Sequence, residues 1–587
     1  MKKGLCLLLM LLLVMPMMFV ACEPEEQPYV DSESRALEFD TTEMAEQVTT
    51  EPTTNEMDTS ESDTIDPDTS DSDTIENTTE EQTEAPELVP SEGLSFESYD
   101  DGTCEVIGIG TCTDTELVIP DVSPNGDAVI GIGFGAFQNC SHLTSVHFPD
   151  GITYIRWSAF SGCEALMQEE NGVYYIDHWV VKVDYEKAKN ITTLEIKEGT
   201  VGIADRVMDV TYSQLTELIV PDSLEYIGMW YSLDARNLEL AQYSGAEYIG
   251  NKENPYMILF KSVDGSVTSC EVHPDTKIIN RAFMNCSELN TVVIPNGVKT
   301  IADSAFENCT SLISVNIPNS VTAIGMRAFA NCSSLTEIAI PESVSVIALQ
   351  AFEGCNSLSN VSIASGVNAI GASAFGGCMA LINIDIPDSV SIIAGGAFEG
   401  CTSLTQVTIP GSVTVIGARA FSFCDSLKNV EICEGVKIIL GEAFYASGVE
   451  YISIPSSVEY IEIPENGFVW TNLRSITVAE SNTNYYSKGN CLVSSESGVV
   501  LVGCSNSVIP DGVTEIGRAA FWCINELESI IIPNSVERID MFAFYGCEGL
   551  NNIYFTGTEQ EWAAISIEEG NDVLATATIH YNYVSEM

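Results

Sequence analysis

Positive charge is scarce in this chain: 23 Lys and Arg stand against 85 Asp and Glu in 587 residues, a formal net charge of −62. Nucleic acid is thereby excluded as a partner, because phosphate backbones are held by basic patches. Polyanionic glycans are disfavoured for the same reason. Histidine is also rare, and His142, His147, His178, His273 and His580 are scattered with no H-E-x-x-H zinc helix among them. No two cysteines stand as C-x-x-C, the close pairing that zinc requires. A G-x-S-x-G elbow, a phosphate-cradling glycine loop and a cysteine with a dedicated histidine are all missing. An active site needs a converging set of such groups, so no enzyme, no resident metal and no cofactor is expected.

What the chain has instead is a repeat. The pair Ala-Phe returns every 23 residues at Phe283, Phe306, Phe329, Phe352, Phe375, Phe398, Phe421 and Phe444. Around it runs A-F-x-x-C-x-x-L-x-x-V-x-I-P-x-S-V-x-x-I-G, as in Ala305, Phe306, Cys309, Leu312, Val315, Ile317, Pro318, Val321 and Ile324. An unbroken fixed period predicts a solenoid. One repeat turns only about eight side chains inward, too few to offset the ordering of its backbone, so each turn depends on its neighbours. Val315 and Ile317 alternate as a short strand facing in, with Ser314 and Asn316 facing out. Pro318 ends that strand, and Val321 to Ile324 makes a second extended pass. Residues 302–309 read as one or two helical turns carrying Ala305 and Phe306 inside. The fold class expected is therefore a right-handed repeat solenoid, mostly β with short helical turns and a parallel sheet. Roughly twenty turns at ~5 Å each would make it about 100 Å long.

The 23-residue A-F-x-x-C-x-x-L-x-x-V-x-I-P pattern resembles the BspA-type leucine-rich repeats of bacterial surface proteins, over about residues 104–582. The resemblance implies adhesion to host matrix proteins or to other cells. It is specific for the fold and says less of function, because a fold is a scaffold on which sites are separate.

Three segments are expected. Lys2 and Lys3 precede an apolar run over residues 5–20 that reads as an export signal, residues 1–21. It closes on Phe19-Val20-Ala21-Cys22, which looks like a lipoprotein box with Cys22 as the lipidated residue; the competing reading is an uncleaved anchor. Cys22→Ala is expected to release the protein from membranes or leave an unlipidated precursor. Metabolic fatty-acid labelling checks this, and equal labelling of variant and parent would sink it. Residues 22–92 form an acidic Ser/Thr-rich tether, with 24 Asp and Glu in 23–92 against the single base Arg35. Such a segment cannot bury enough apolar surface to fold and repels itself into an extended spacer. Its run Asp66-Pro67-Asp68-Thr69-Ser70-Asp71-Ser72-Asp73 lacks the central Gly and terminal Glu of a calcium loop. Residues 93–587 are the solenoid, which keeps 61 acids against 20 bases, about −41.

The repeat is regular at Phe137/Cys140 and Phe160/Cys163 and degrades over residues 164–281. Fragments such as Leu215, Leu218, Val220, Leu224 and Ile227 survive there between longer pieces. These insertions read as extra strands extending the wall, with a ligand site as the sharper alternative. A second irregular patch covers residues 479–507, where Tyr485-Tyr486-Ser487-Lys488-Gly489-Asn490-Cys491 resembles a hairpin insert of the family. Register returns at Phe521 and Phe544. Residues 555–587, including Trp562 and His580-Tyr581, resemble the family's C-terminal cap.

Nineteen cysteines in an exported chain suggest disulfides. Ten of them, however, share one repeat slot: Cys140, Cys163, Cys286, Cys309, Cys332, Cys355, Cys378, Cys401, Cys424 and Cys547. That slot also accepts Ser447 and Ile524, as a small apolar pocket would, so cysteine is expected there as a free packing residue. A ladder of disulfides, or the pairs Cys104–Cys112 and Cys491–Cys504, is the alternative.

The outward strand positions, such as Asn360/Ser362, Gln406/Thr408 and Asn429/Glu431, are small and polar, with few of the aromatic or Arg anchors that dominate hot spots. The bulky aromatics lie in the irregular pieces. Binding is therefore expected at Tyr174, Tyr175, Trp179, Trp230, Tyr231, Tyr485 and Tyr486. The reading is an exported monomer, lipid-anchored on the cell surface, that binds a protein ligand on host matrix or cells. A structural envelope spacer and a surface polysaccharide binder are the alternatives. A flat row of aromatics would favour the glycan, and no aromatic cluster would favour the spacer.

Overall fold

The computed structural model describes residues 89–98, 103–188, 190–208, 214–228, 237–262, 265–462 and 473–584. The export signal, Cys22, the tether up to residue 88, Trp230 and Tyr231 lie outside the described residues. Ser91, expected in the tether, is instead buried, and its N–H donates to Val118 O at 2.9 Å. Contacts divide the chain into residues 1–84 and 85–587, and every described residue belongs to the second unit.

This unit is a parallel-sheet β-solenoid of about 20 turns, as the period requires. Each turn contributes a strand to two parallel ladders. The first runs through Thr291–Val293, Ser314–Asn316, Glu337–Ile340 and Asn360–Ile363, and the second through Thr300–Ile301 and Ala323–Ile324. Register follows the repeat: Glu337 lies opposite Asn360, and Val346 opposite Ala369, each 23 residues on. Val315 is buried while Ser314 and Asn316 are exposed, the alternation that the sequence predicts. Inside, the rings from Phe283 to Phe444 stack in one column at centroid spacings of 5.0–5.6 Å. All eight are fully buried.

The corner at residues 302–309 is not helical. Ser304 and Asn308 have φ of 56° and 62°, left-handed values that break an α-helix. The intervening residues close short turns instead, with Ala305 N–H donating to Ala302 O and Cys309 N–H to Phe306 O. The amides of Ser304, Phe306 and Asn308 are thus free to donate to Met326, Ala328 and Ala330 carbonyls on the next turn, at 2.7–2.9 Å. The corner strip is therefore a third hydrogen-bonded ladder, whose donors all point toward the C-terminus. Left-handed slots explain the recurrence of Asn and Gly there: Asn285, Asn308 and Asn331 give way to Gly354, Gly377 and Gly400, all with positive φ. At the last turn Phe544 N–H has no following repeat and donates to Asn571 Oδ1 at 2.9 Å. Asn571 is buried, and its amide nitrogen donates to the Asp540 and Glu568 carbonyls.

None of the seventeen described cysteines is in a disulfide, Cys104, Cys112, Cys491 and Cys504 included. The slot has a polar function that the sequence does not reveal: the thiols of Cys309, Cys332 and Cys355 donate to the carbonyls of Phe283, Phe306 and Phe329 one turn back, at 3.0–3.2 Å. Burial pushes the Cys355 and Cys401 thiols up to about 12, so they stay neutral and unreactive. Cys355→Ala is expected to cost roughly 1–2 kcal/mol, from a small cavity and a weak hydrogen bond, with Cys355→Val nearly neutral. Thiol counting checks the chemistry: these cysteines should resist alkylation in the native protein and titrate as free thiols after denaturation without reductant.

The irregular pieces are three-stranded antiparallel meanders. They comprise Gln168–Glu170, Val173–Ile176 and Trp179–Val183; Ala241–Tyr243, Ala246–Ile249 and Ile258–Ser262; and Tyr485–Lys488, Cys491–Ser494 and Val499–Val502. In each, the third strand joins the second ladder in parallel, as Trp179 opposite Gly202 shows. The insertions thus extend a sheet from within. Each meander buries one tyrosine whose hydroxyl accepts a backbone N–H: Tyr175 from Lys197, Tyr248 from His273 and Tyr485 from Ile461.

Candidate functional site: a corner cleft beside the first meander

Of the seven aromatics expected to bind, Tyr175, Trp179 and Tyr485 are buried. Trp179 is 3% exposed and stacks on Tyr226 at 6.2 Å. A side chain so enclosed offers no face to a partner, so these three are corrected to core residues. They were misplaced because a strand buried on both faces reads as an exposed aromatic-rich insert when its neighbours are unknown. Tyr174 is half-buried with Lys182 Nζ 5.2 Å from its ring centre, and Tyr486 is 37% exposed. The structure therefore does not gather the five described ones into one site.

The regular wall is polar and largely satisfied from within. Hydroxyls of Thr336, Ser359 and Thr405 donate to carbonyls of the preceding turn, and Thr408 donates to Glu431. Exposed aromatics on the ladders stand singly, as Tyr451 and Tyr460 do, and those on the corner strip come in groups. Two residues past the second-ladder isoleucine, the chain carries Phe134 and Trp157, which are 63% and 50% exposed with ring centres 5.4 Å apart. In the regular repeats the same slot holds no aromatic: it carries Asp303, Met326 and Leu349, then Ala372, Gly395, Ala418 and Gly441. That contrast is the signal by which sequence reasoning, which missed both residues, could have found them. A second group, Trp522, Phe542 and Tyr545, lies on the corner strip near the C-terminal end, with centroids 4.6–5.8 Å apart.

A cleft of roughly 380 Å³ opens beside Trp157. The first meander creates it. Its third strand follows the ladder to Val180, which accepts Ala204 N–H, but Val181, Lys182 and Val183 then pair with the antiparallel strand rather than turn a corner. Asp205 N–H bridges the missing corner by donating to Ile155 O at 2.9 Å. The space left over is lined by Arg156, Trp157, Ser158, Glu164, Lys182 and Arg206, among others. In a chain so acidic, three basic side chains at one cleft are a local reversal. Arg206 has its guanidinium 5.8 Å from the Trp157 ring centre. Arg156 Nε donates to the buried Glu105 carboxylate at 2.8 Å, and its guanidinium lies over Tyr154, 4.8 Å from the ring centre.

Asp303, which fills the Trp157 slot farther along, has Asp205 and Arg156 within electrostatic range. Desolvation pushes its carboxyl from 3.8 up to about 6, against the lowering effect of the Met326 N–H. The folded value lies above the unfolded one, so a penalty is absent below pH 4 and fully present above pH 6. Asp303→Asn, which keeps an acceptor for Met326, is expected to raise stability at pH 7 by about 1–3 kcal/mol, less if solvent screens the partly exposed residue, and by nothing near pH 4. Melting curves of variant and parent across that window check it; a gain that is equal at both ends contradicts it.

Among the described residues no group of three metal-ligating side chains occurs, and no helix is long and apolar enough to cross a membrane. Fold and cleft together define a repeat scaffold with a localised aromatic and basic patch. The chain belongs to the BspA-type leucine-rich repeat family, whose model, a region of six repeat copies, matches residues 115–239, 276–405, 391–492 and 502–569. Among solved structures it is similar to a leucine-rich cell surface protein of Faecalibacterium prausnitzii, at 23% identity over 56% of this chain and 97% of that one, TM-score 0.36. It is also similar to a leucine-rich repeat protein of Bacteroides ovatus, at 19% identity over 85% and 100% of the two chains, TM-score 0.30. The pneumococcal vaccine antigen PcpA gives 18% identity over 59% and 88%, TM-score 0.29. No curated protein matches the chain.

Proposed function

We propose that the chain is an exported surface protein, anchored through lipid on Cys22, that binds a protein partner on host matrix or neighbouring cells as a monomer and performs no chemistry itself. The observation that carries this reading is the Phe134–Trp157–Arg206 patch on the rim of the corner cleft. Exposed Trp beside Arg in a concavity is the composition of an interaction hot spot, whereas a spacer has no reason to expose it. The tilt of 39° between Phe134 and Trp157 is not the flat row that a polysaccharide platform needs.

The test is a binding screen of the full chain, solubilised in neutral detergent, against matrix proteins and intact cells. Saturable binding to at least one protein supports the reading. Absence of binding to every one hands the role to the spacer.

A further inference from the structure

The cleft carries charges of both signs beside one accessible aromatic face, a combination that a protein hot spot alone does not require. Arg156, Lys182 and Arg206 supply only donors, Glu164 and Asp205 only acceptors, and Ser158 and Ser161 both. A phosphate would use the cations and be repelled by the two carboxylates. A purely apolar anchor would use the Trp157 face and none of the cleft's polar side chains. A ligand that matches the set needs one anionic group, several hydroxyls and an apolar C–H face.

We propose that the cleft binds a single acidic sugar, a pyranose bearing one carboxylate, displayed at the end of a glycan on the partner. Arg206, already held over Trp157, is placed to meet the carboxylate with its planar fork. Trp157, half exposed on the rim, covers the C–H face of the ring. Glu164 accepts from ring hydroxyls, and Lys182 donates to them. A volume of about 380 Å³ suits one such residue and not a chain of them. The chain's overall negative charge does not forbid this. At physiological ionic strength, charges beyond about 8 Å are screened, so a ligand with one carboxylate experiences mainly the cleft's own cations. A polyanion would extend over the acidic surface and be repelled.

This inference rests on the cleft being a recognition site. The test uses the full chain in neutral detergent with three probes: sialyllactose, glucuronic acid and uncharged lactose, followed by saturation-transfer NMR and titration. Binding of an acidic probe is expected to be at least about tenfold tighter than binding of lactose. Trp157→Ala and Arg206→Gln should each weaken it at least about tenfold, while Tyr451→Ala on the distant wall leaves it unchanged. The second variant guards against a folding defect in the first, and unchanged melting qualifies both. Lactose binding as tightly as the acidic probes overturns the proposal, as does preference for a polyglutamate peptide or an affinity that neither variant alters. If no sugar binds while Trp157→Ala still abolishes protein capture, the sugar assignment falls and the recognition cleft stands.

Discussion

Replacing Phe352 by Ala is expected to destabilise the solenoid by about 3–5 kcal/mol. The ring is fully buried between Phe329 and Phe375, at 5.3 and 5.4 Å and within 6° of parallel. Its removal loosens two interfaces at once, and in a solenoid each turn is held by its neighbours alone. The Phe352 amide, which donates to Ala374 O, and the Cys378 thiol, which donates to Phe352 O, lie along the same column. The variant should unfold at lower denaturant, with accelerated hydrogen exchange centred on residues 329–378. Phe352→Leu keeps most of the volume and should cost about 1–2 kcal/mol. A loss below about 1 kcal/mol for Phe352→Ala would mean that the phenylalanine column is not the structural spine.

Trp157→Ala is expected to weaken partner binding by about 10- to 100-fold with little change in melting, because the side chain is half exposed and fills no core space. Equilibrium titration against any partner identified in the screen measures it. Three controls locate the effect: Asn360→Ala with Ser362→Ala on the regular wall, Tyr486→Ser on the third meander, and Tyr174→Ser on the first. The wall pair should change binding less than about twofold, since small polar positions there contribute little. Tyr174 stands over Lys182, which lines the cleft, so its loss should have a smaller effect in the same direction as that of Trp157.

Much of the fold could be read from the repeat. A strict 23-residue period fixes which side chains face inward, and Phe306, Cys309, Leu312, Val315 and Ile324 are all buried where the pattern puts them. The corner was less legible: its left-handed Ser304 and Asn308 look compatible with a helical turn until the next turn is present to receive their amides. The meanders defeated the reading of sites. Tyr175, Trp179 and Tyr485 are core residues because their strands are covered by neighbours far away in sequence. The cleft itself comes from a missing corner after Val180, a feature of how Asp205 meets Ile155 that no local pattern encodes. Phe134 and Trp157 were visible only as aromatic departures in a slot that holds Ala or Gly from Ala372 to Gly441 and aliphatic or charged residues such as Asp303 and Leu349 elsewhere.

The proposed place of recognition is the corner cleft rather than the strand wall. Hydroxyl-radical footprinting of the chain with and without its bound partner tests this most directly, because it reports solvent access residue by residue. Protection is predicted at Phe134 and Trp157, with Tyr451 and Tyr460 on the ladders unchanged. Protection of Tyr451 and Tyr460 with Phe134 and Trp157 still fully reactive would contradict it and move the site to the wall.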